Sequence, residues 1–438
     1  MIEKIKYIES EIIDQYLYDE DKKRPWVIGF SGGKDSTMML QVVWNALKSI
    51  APELRQRQIY VICNDTLVEN PHIITYIDRV LKAIQKAANE KAMPIIVEKT
   101  LPRLEDTFWV KLIGKGYPAP NSIFRWCTER LKISPTSKFV IDKVNENGEV
   151  IILIGTRSDE SATRSKSIKR HEIRGKRLSK HSLPNAYIYT PIKDISNTEV
   201  WQFLMQNQSP WDVSNKELLT LYNSANSGDC PLVVDISMPS CGNSRFGCWV
   251  CTVVAKDKSM DGLIDSGEDW MLPLSEIRNF LFTSRDNAEM RERKRRDGSE
   301  KEGQLGPYKF EIRVKILKML LQAQSDIQKY GKEISLISTR ELIAIQHIWL
   351  RDGYFDPLIT KIYNKIFNVR LKMTKHEEKM RKEEELLKRA CKKNKEDYDL
   401  IQELLKLQKT RMLMIKKRGL QSDLEDRIEQ HLTSKKKD

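Results

Sequence analysis

Short apolar runs recur along the first half of the chain, with amphipathic stretches between them. Runs of this length predict strands that are buried on both faces of a sheet. They lie at Val27–Phe30, Ile59–Cys63, Met93–Val97, Val150–Ile154 and Tyr187–Tyr189. Helical periodicity is clearest at Lys34–Lys48 and Ile73–Ala88. The alternation predicts an α/β fold with a doubly wound, mostly parallel sheet.

The pattern changes in the second half of the chain. Strand signals vanish beyond about residue 310, where the periodicity predicts packed helices and then a charged helical stretch without proline. We therefore expect an α/β domain over 1–265, a helical domain over 266–370 and a charged helical tail over 371–438. A chain of 438 residues is long enough for such parts to have separate cores.

Composition and charge narrow the class of protein. No uninterrupted apolar run approaches ~18 residues, so we expect no membrane span. The N-terminus, Met1–Lys6, lacks the apolar segment of a secretory signal, which makes the cytoplasm the expected location. The formal net charge of +14 favours a polyanionic partner such as nucleic acid, although solvated lysine faces give the same balance. Of two basic stretches, Ser165–His181 and Arg291–Gly298, the first is the better candidate for a phosphate-backbone contact.

Residues 28–37 carry the clearest functional signal. The first predicted strand leads into Ser31–Gly33, and the helical pattern follows at once. Two adjacent glycines let the backbone pass close to a ligand, so consecutive N–H groups can converge on one anion. The helix start adds N–H donors and the positive end of its dipole, while Ser31, Lys34 and Ser36 add side-chain donors. This arrangement predicts a cradle for a polyphosphate.

The spacing in this stretch is shorter than in the Walker A motif, where four residues separate the first glycine from the Gly-Lys pair. The stretch resembles the PP-loop of ATP pyrophosphatases, enzymes that cleave ATP between its α and β phosphates. A plain glycine turn before a helix is the alternative interpretation.

Charged residues follow two more of the predicted strands. Asp65 follows the second, where a carboxylate could hold a ribose, a magnesium ion or a substrate, or could simply cap the strand end. Arg157 and Arg164 follow the fourth, and the arginine fork suits phosphate or sulfate oxygens. Surface ion pairs with Asp159 or Glu160 are the alternative. Ligands of such sheets bind at the carboxyl ends of the strands, where we expect these residues to meet the glycine loop.

Seven cysteines in a chain without an export signal favour metal or redox chemistry over disulfides. Cys248 and Cys251 form a Cys-x-x-Cys pair, which places two thiolates on one tight turn, and Cys241 lies seven residues earlier. A fourth ligand must come from Cys127 or from Cys230. Four thiolates suit either a zinc ion or an iron–sulfur cluster, and the spacing alone leaves both open. A redox-active dithiol at Cys248 and Cys251 is a weaker alternative.

A wider set of residues forms a recognisable combination: Ser31–Ser36, Asp65 and Thr66 with Glu69 and Pro71, Lys132 and Pro135 after Cys127, Gly155–Arg157 with Glu160, Ser161 and Arg164, and Pro191 and Ile192 with Val200 and Trp201. The combination is similar to the phosphoadenosine phosphosulfate reductase family, which implies an adenine nucleotide alpha hydrolase-like fold. In its adenosine phosphosulfate branch a Cys-Cys pair and a later Cys-x-x-Cys hold a [4Fe–4S] cluster, and Trp126 stands here in place of one member of that pair. The reductases' C-terminal motif, Glu-Cys-Gly-Leu-His, is absent from this sequence.

Three further stretches, Asp229–Val234, Gly247–Val254 and Gly306–Tyr308, resemble the DndC-type proteins of bacterial DNA phosphorothioation. This likeness extends over nearly the whole chain. It implies a [4Fe–4S] ATP pyrophosphatase that acts in sulfur transfer, with adenylylation of a DNA phosphate oxygen that sulfur then replaces. The implied partners are DNA, a cysteine desulfurase as the sulfur source, and other DNA-modification subunits.

The resemblance also implies a role for each candidate residue, with ATP and Mg²⁺ as cofactors beside the cluster. The expected catalytic residues are Lys34, Asp35, Asp65 and Arg157. The expected ATP-binding residues are Ser31, Gly32, Gly33, Lys34, Asp35, Ser36, Asp65, Arg157, Glu160 and Arg164. The expected cluster ligands are Cys127, Cys241, Cys248 and Cys251. Cys127 is preferred to Cys230 because it stands where the related reductases place a cluster cysteine, which leaves Cys230 free to carry a persulfide.

Three alternatives stay open. A sulfonucleotide reductase of the same fold is disfavoured by the missing cysteine motif. A tRNA-thiolating enzyme of the same fold is disfavoured only by the family likeness. A nucleic-acid-binding module stabilised by zinc would keep the glycine loop as scaffold without catalysis.

Overall fold

The structure, a computed structural model, describes most of the chain. The described residues are 1–19, 24–160, 177–225, 247–295, 299–300, 302–354, 356, 358–371, 375–391, 394–412, 424–425 and 427–429. The chain divides into two compact units, Met1–Arg103 with Pro120–Phe282 and Leu104–Ala119 with Thr283–Asp438. The domain boundaries near residues 265 and 370 stay predictions.

The first unit is built on a sheet that has six strands among the described residues. They are β1 Trp26–Gly29, β2 Ile59–Asn64, β3 Ile95–Thr100, β4 Val150–Leu153, β5 Ser179–Lys180 and β6 Ala186–Tyr189. Their order is β3-β2-β1-β4-β6-β5, and each neighbouring pair is parallel except β5 with β6. All five predicted strands are present, and the predicted fold class is confirmed.

Helices cover both faces of this sheet. They are α1 Ile2–Leu17, α2 Lys34–Lys48, α3 Pro71–Glu90, α4 Ser134–Asn147, α5 Asn197–Gln206 and α6 Asn215–Ala225. Two further helices follow along the chain, α7 Lys258–Asp265 and α8 Leu272–Ser284. Alternate strand residues enter two separate cores: Trp26 and Ile28 pack with α1, α2 and α3, while Val27 packs with Val140 of α4. Side chains of successive strand residues point to opposite faces, so an uninterrupted apolar run is what a doubly covered strand requires.

The second unit is helical in its described part. A π-helical turn at Val110–Gly114 precedes α9 Phe310–Lys329, α10 Thr339–Arg351, α11 Leu358–Phe367, α12 Lys375–Ala390 and α13 Lys395–Met412. Two buried tryptophans tie the early segment to these helices. The indole of Trp109 donates to the Leu336 carbonyl at 2.8 Å, and the indole of Trp349 donates to the Ile113 carbonyl at 3.0 Å. Among the described residues, no helix is long and apolar enough to cross a membrane.

Candidate functional site

The candidate site lies where the strand order of the sheet changes direction. From β1 the chain continues to β2 on one side, and β4 later pairs with the other side of β1. Such a switch point opens a crevice at the carboxyl ends of the two central strands, because their connections leave to opposite sides. The loops after β1, β2 and β4 all begin at this edge.

The glycine loop after β1 is tightly constrained. Gly32 has a φ of +71°, in the left-handed region that side chains disfavour. A Cβ atom on Gly32 would lie 2.7 Å from Cγ1 of Ile77, a buried residue of α3. The Ser36 hydroxyl lies 3.2 Å from the backbone nitrogen of Ser31, which donates to it, and itself donates to the Gly33 carbonyl at 3.0 Å. Glycine is therefore required by both the conformation and the space at position 32.

Helix α2 begins directly at this loop, with Gly33 as its N-cap. Since glycine has no side chain, the first backbone donors of the helix must find other acceptors. The Lys34 N–H points to the hydroxyl of Tyr222 at 3.4 Å, which is long for a hydrogen bond. A polyphosphate would supply stronger acceptors at this position, so the donor set fits the predicted ligand.

Asp35 joins the β1 loop to the β4 loop. Its Oδ1 accepts from Nε of Arg157 at 2.6 Å, and its Oδ2 lies 3.1 Å from Nζ of Lys34. The Arg157 side chain is only 3% exposed and also donates to the Ile195 carbonyl at 3.2 Å. Arg157 therefore holds Asp35 in place from inside the protein, and its exposed neighbour Asp159 lies farther off at 3.8 Å. The nucleotide-binding roles of Asp35 and Arg157 stay predictions.

Asp65 caps the turn that follows β2. Its Oδ1 accepts from the Leu67 backbone nitrogen at 2.9 Å, and Leu67 has a φ of +63°. Its other oxygen lies 3.9 Å from Nζ of Lys99. These contacts match the strand-cap interpretation. Binding of a ribose or of magnesium by Asp65 stays a prediction.

The Cys-x-x-Cys segment docks on the chain just after β2. Cys248 forms an isolated antiparallel bridge with Glu69, and the Trp249 N–H donates to the Val68 carbonyl at 3.0 Å. The thiol of Cys248 lies 3.3 Å from the hydroxyl of Thr66, a fully buried residue. Since β2 is the direct neighbour of β1, the cysteine pair and the glycine loop share one edge of the sheet.

Three of the predicted cysteines interact electrostatically with one lysine, Lys132. Burial raises the pKa of the Cys248 thiol to about 11, although the ammonium of Lys132 opposes the shift. Burial also raises the pKa of Cys127, and the charge of Cys251 adds to the shift. For Lys132 burial lowers the pKa, but the negative charges of Cys248, Glu69, Cys127 and Cys251 outweigh it, so that the net shift is upward. The charges of Cys127, Cys248 and Cys251 thus all act on the ammonium of Lys132.

Several predicted site residues fall outside the described residues. These are Arg164, Cys230 and Cys241. Glu160 ends a short 3-10 turn, Ser158–Glu160, and its side chain is likewise outside the description. Within the described residues, no group of three or more His, Cys, Asp or Glu side chains is arranged to hold a metal ion. In donor chemistry, thiols that interact with the charge of one lysine suit an anionic thiolate-bound group. The four-cysteine ligand set stays a prediction.

Two residues that sequence reasoning missed support this site. Arg278 of α8 is 2% exposed, and it donates to the carbonyls of Cys251 at 3.0 Å and Ala255 at 2.7 Å, as well as to that of Val254. It therefore ties down the segment that carries the cysteine pair. Tyr222 of α6 contacts Lys34 as described above. Neither residue belongs to a motif, so no local signal in the sequence could have identified it.

Comparisons with known proteins agree with this architecture. A family model for the phosphoadenosine phosphosulfate reductase domain matches residues 25–254, just over half of the 438 residues. An uncharacterised protein of Methanocaldococcus jannaschii is 29% identical over 195 residues, which is 44% of this chain and 34% of that protein. The matched stretch thus spans about a third of the relative's length.

Two solved structures show weaker likeness. The FMN adenylyltransferase of Candida glabrata overlays with a TM-score of 0.30 and 12% identity, covering 52% of this chain and 61% of that chain. The U34-tRNA thiolase NcsA from Methanococcus maripaludis, solved with its [4Fe-4S] cluster, overlays with a TM-score of 0.29 and 16% identity, covering 64% and 78%. At TM-scores this low, neither likeness bears on activity.

Proposed function

The chain belongs to the phosphoadenosine phosphosulfate reductase domain family, and on that premise we propose that it is an ATP pyrophosphatase acting in sulfur transfer to the DNA backbone. One observation carries the proposal: a glycine loop suited to phosphate lies at the switch point of the sheet, and a Cys-x-x-Cys segment docks at the end of the adjacent strand. The DNA part of the proposal rests on the resemblance of the Asp229–Val234, Gly247–Val254 and Gly306–Tyr308 motifs to DndC-type proteins.

In the proposed reaction a DNA phosphate oxygen attacks the α phosphorus of ATP. A new O–P bond forms, the bond to the bridging oxygen between the α and β phosphates breaks, and pyrophosphate leaves. The N–H groups of Ser31–Ser36 would hold the β and γ phosphates, and Lys34 would offset the charge on the leaving pyrophosphate. Asp35, fixed by Arg157, would orient the loop or bind Mg²⁺, which when present neutralises phosphate charge. The outer sulfur of a persulfide can then attack the DNA phosphorus, with AMP as the leaving group. A thiol reductant would supply the two electrons that cleave the remaining S–S bond and release the phosphorothioate.

The cysteines would supply the sulfur-handling half of the site. Cys127, Cys248 and Cys251 with Cys241 would hold a [4Fe–4S] cluster, which when bound supplies redox-active iron held by thiolates. A cysteine desulfurase would deliver the sulfur, and Cys230 would carry it as a persulfide. Arg278 keeps the Cys251 end of this ligand set in position by holding its backbone carbonyl.

The ATP half of the proposal is tested by product analysis. Purified protein incubated with ATP, Mg²⁺ and duplex DNA should release pyrophosphate and AMP. Lys34→Ala should lose most of this activity and keep its fold, since the side chain lies at the start of a helix and is not part of the core. Orthophosphate and ADP as the only products would exclude the proposal.

The sulfur and DNA halves need separate measurements. Anaerobically prepared protein should contain iron and sulfide, and Cys127→Ser should lose iron while Cys230→Ser retains it. Stoichiometric zinc without iron would favour the zinc-stabilised module instead. Duplex DNA should bind more tightly than tRNA at the same stated salt concentration. A clear preference for tRNA would overturn the DNA assignment and leave the ATP assignment standing.

A further inference from the structure

Tyr222 contacts Lys34, the lysine proposed to bind the leaving pyrophosphate, through two separate parts of its side chain. Its hydroxyl accepts from the backbone N–H of Lys34 at 3.4 Å. Its ring lies under the ammonium of the same residue, with Nζ 5.5 Å from the ring centroid. One aromatic residue therefore contacts both the backbone N–H of Lys34, which is the first donor of α2, and the ammonium of the same residue.

The surroundings of Tyr222 keep it in one orientation. The residue is 9% exposed, and its ring meets the fully buried Trp201 edge to face, with centroids 5.0 Å apart. A Cβ atom on Gly33 would lie 3.4 Å from the Tyr222 hydroxyl, so the loop packs directly on this oxygen. A rigid ring at this distance restricts where a lysine ammonium can settle.

We propose that Tyr222 is a positioning residue that holds Lys34 for contact with the leaving pyrophosphate. The inference rests on the proposed ATP chemistry. On the other side of Lys34, Asp35 attracts the same ammonium at 3.1 Å and is itself held by Arg157. The ring and the carboxylate therefore both hold the ammonium, and without the ring Asp35 alone would hold it. Burial raises the pKa of Tyr222, so its hydroxyl stays neutral and does not repel the phosphates.

Two substitutions separate the two contacts. Tyr222→Phe keeps the ring and removes only a hydroxyl that phosphate acceptors would replace, so KM for ATP and kcat for pyrophosphate release should each change by less than about 2-fold. Tyr222→Leu also removes the ring, so kcat should fall by a further factor of about 10. In a Lys34→Met background the difference in kcat between the Phe and Leu variants should disappear, because the ammonium that the ring positions is gone.

Tyr16 offers a matched control at the opposite end of the sheet. Its hydroxyl donates to the Arg57 carbonyl at 2.9 Å, and the Arg57 guanidinium lies 5.8 Å from its ring centroid. Tyr16→Phe and Tyr16→Leu should lower the thermal unfolding midpoint as much as the Tyr222 variants do, and should leave KM and kcat for ATP unchanged. If the Tyr222 variants lost activity only because they are less stable, the Tyr16 variants would lose activity as well.

A second measurement does not depend on turnover. Acetylation of Lys34 by a mild reagent, followed by peptide mass spectrometry, should be several-fold faster in Tyr222→Leu than in the unmodified protein or in Tyr222→Phe. Equal acetylation rates in all three would overturn the positioning role, as would an undiminished difference between Phe and Leu in the Lys34→Met background. Absence of pyrophosphate release from the unmodified protein would refute the proposed function, and the acetylation rates would still decide the role of Tyr222.

Discussion

Replacing Gly32 by alanine tests the geometry of the loop without any assumption about its ligand. Gly32 has a φ of +71°, and an added Cβ atom would lie 2.7 Å from Cγ1 and 3.2 Å from Cδ1 of Ile77. The first feature strains the backbone of any residue with a side chain. The second forces a buried isoleucine of α3 to move, because a carbon–carbon separation of 2.7 Å is far inside van der Waals contact.

The expected cost has two parts. The left-handed backbone costs about 1–2 kcal/mol for a residue other than glycine. Overpacking against Ile77 adds about 1–3 kcal/mol, which gives about 2–5 kcal/mol for Gly32→Ala. Gly267 provides the matched control, since its φ is +99° and an added Cβ atom would meet nothing within 4 Å. Gly267→Ala should therefore cost only the backbone part, about 1–2 kcal/mol.

Hydrogen exchange of the Trp26–Gly29 peptide at increasing urea concentration measures this cost for the α/β unit alone. Ile77→Ala removes the two clashing carbons and leaves Cβ at 3.9 Å from the new methyl group. The double variant should consequently be more stable than the sum of the two single effects by about 1–3 kcal/mol. Equal destabilisation by Gly32→Ala and Gly267→Ala, or strict additivity with Ile77→Ala, would refute the steric argument.

Three further predictions concern the supporting residues. Alkylation of Cys248 in metal-free protein, followed by mass spectrometry, should accelerate about tenfold per pH unit between about pH 7 and 9, because burial raises the pKa of its thiol to about 11. An alkylation rate that levels off within this pH range would contradict the raised pKa. Arg278→Met should destabilise the first unit by about 3 kcal/mol in the same exchange measurement, since it removes the donor to three carbonyls. The control variant Arg79→Met breaks only an exposed ion pair with Glu217 and should cost under about 0.5 kcal/mol. Arg157→Lys should lower pyrophosphate release about tenfold, because an ammonium cannot reach Asp35 and the Ile195 carbonyl as a fork does; unchanged kinetics would show that the fork is not needed.

The sheet and the glycine loop were predictable because their signals are local. A strand buried on both faces needs consecutive apolar residues, and β1, β2 and β4 each have them. The loop conformation needs glycine at position 32, and no neighbouring sequence element changes that requirement. The ends of β3 shifted most, from the predicted Met93–Val97 to Ile95–Thr100, because its last three residues are polar and lie in the edge strand of the sheet.

The partners of the site residues were not predictable, because they depend on contacts between distant parts of the chain. Asp35 and Arg157 were each identified as ligand candidates, yet their ion pair joins residues 122 positions apart. Arg291 illustrates the opposite error. It counts toward a basic stretch in the sequence, but it is 7% exposed and donates to the carbonyl of Leu305 at 3.0 Å. Net charge therefore overstates the positive surface that this stretch offers to nucleic acid.

The glycine loop and the Cys-x-x-Cys segment lie close together because of the register of two strands. Ile28 pairs with Val61 and Gly29 with Ile62, so β1 and β2 end side by side, about one strand spacing of ~4.8 Å apart. The chain after β1 becomes the glycine loop, and the chain after β2 bridges to Cys248 through Glu69. The proposed chemistry, which first activates a phosphate oxygen and then replaces it with sulfur, needs both functions at one edge. The parallel pairing of β1 with β2 provides that arrangement, although more than 200 residues separate the loop from the cysteine pair in the sequence.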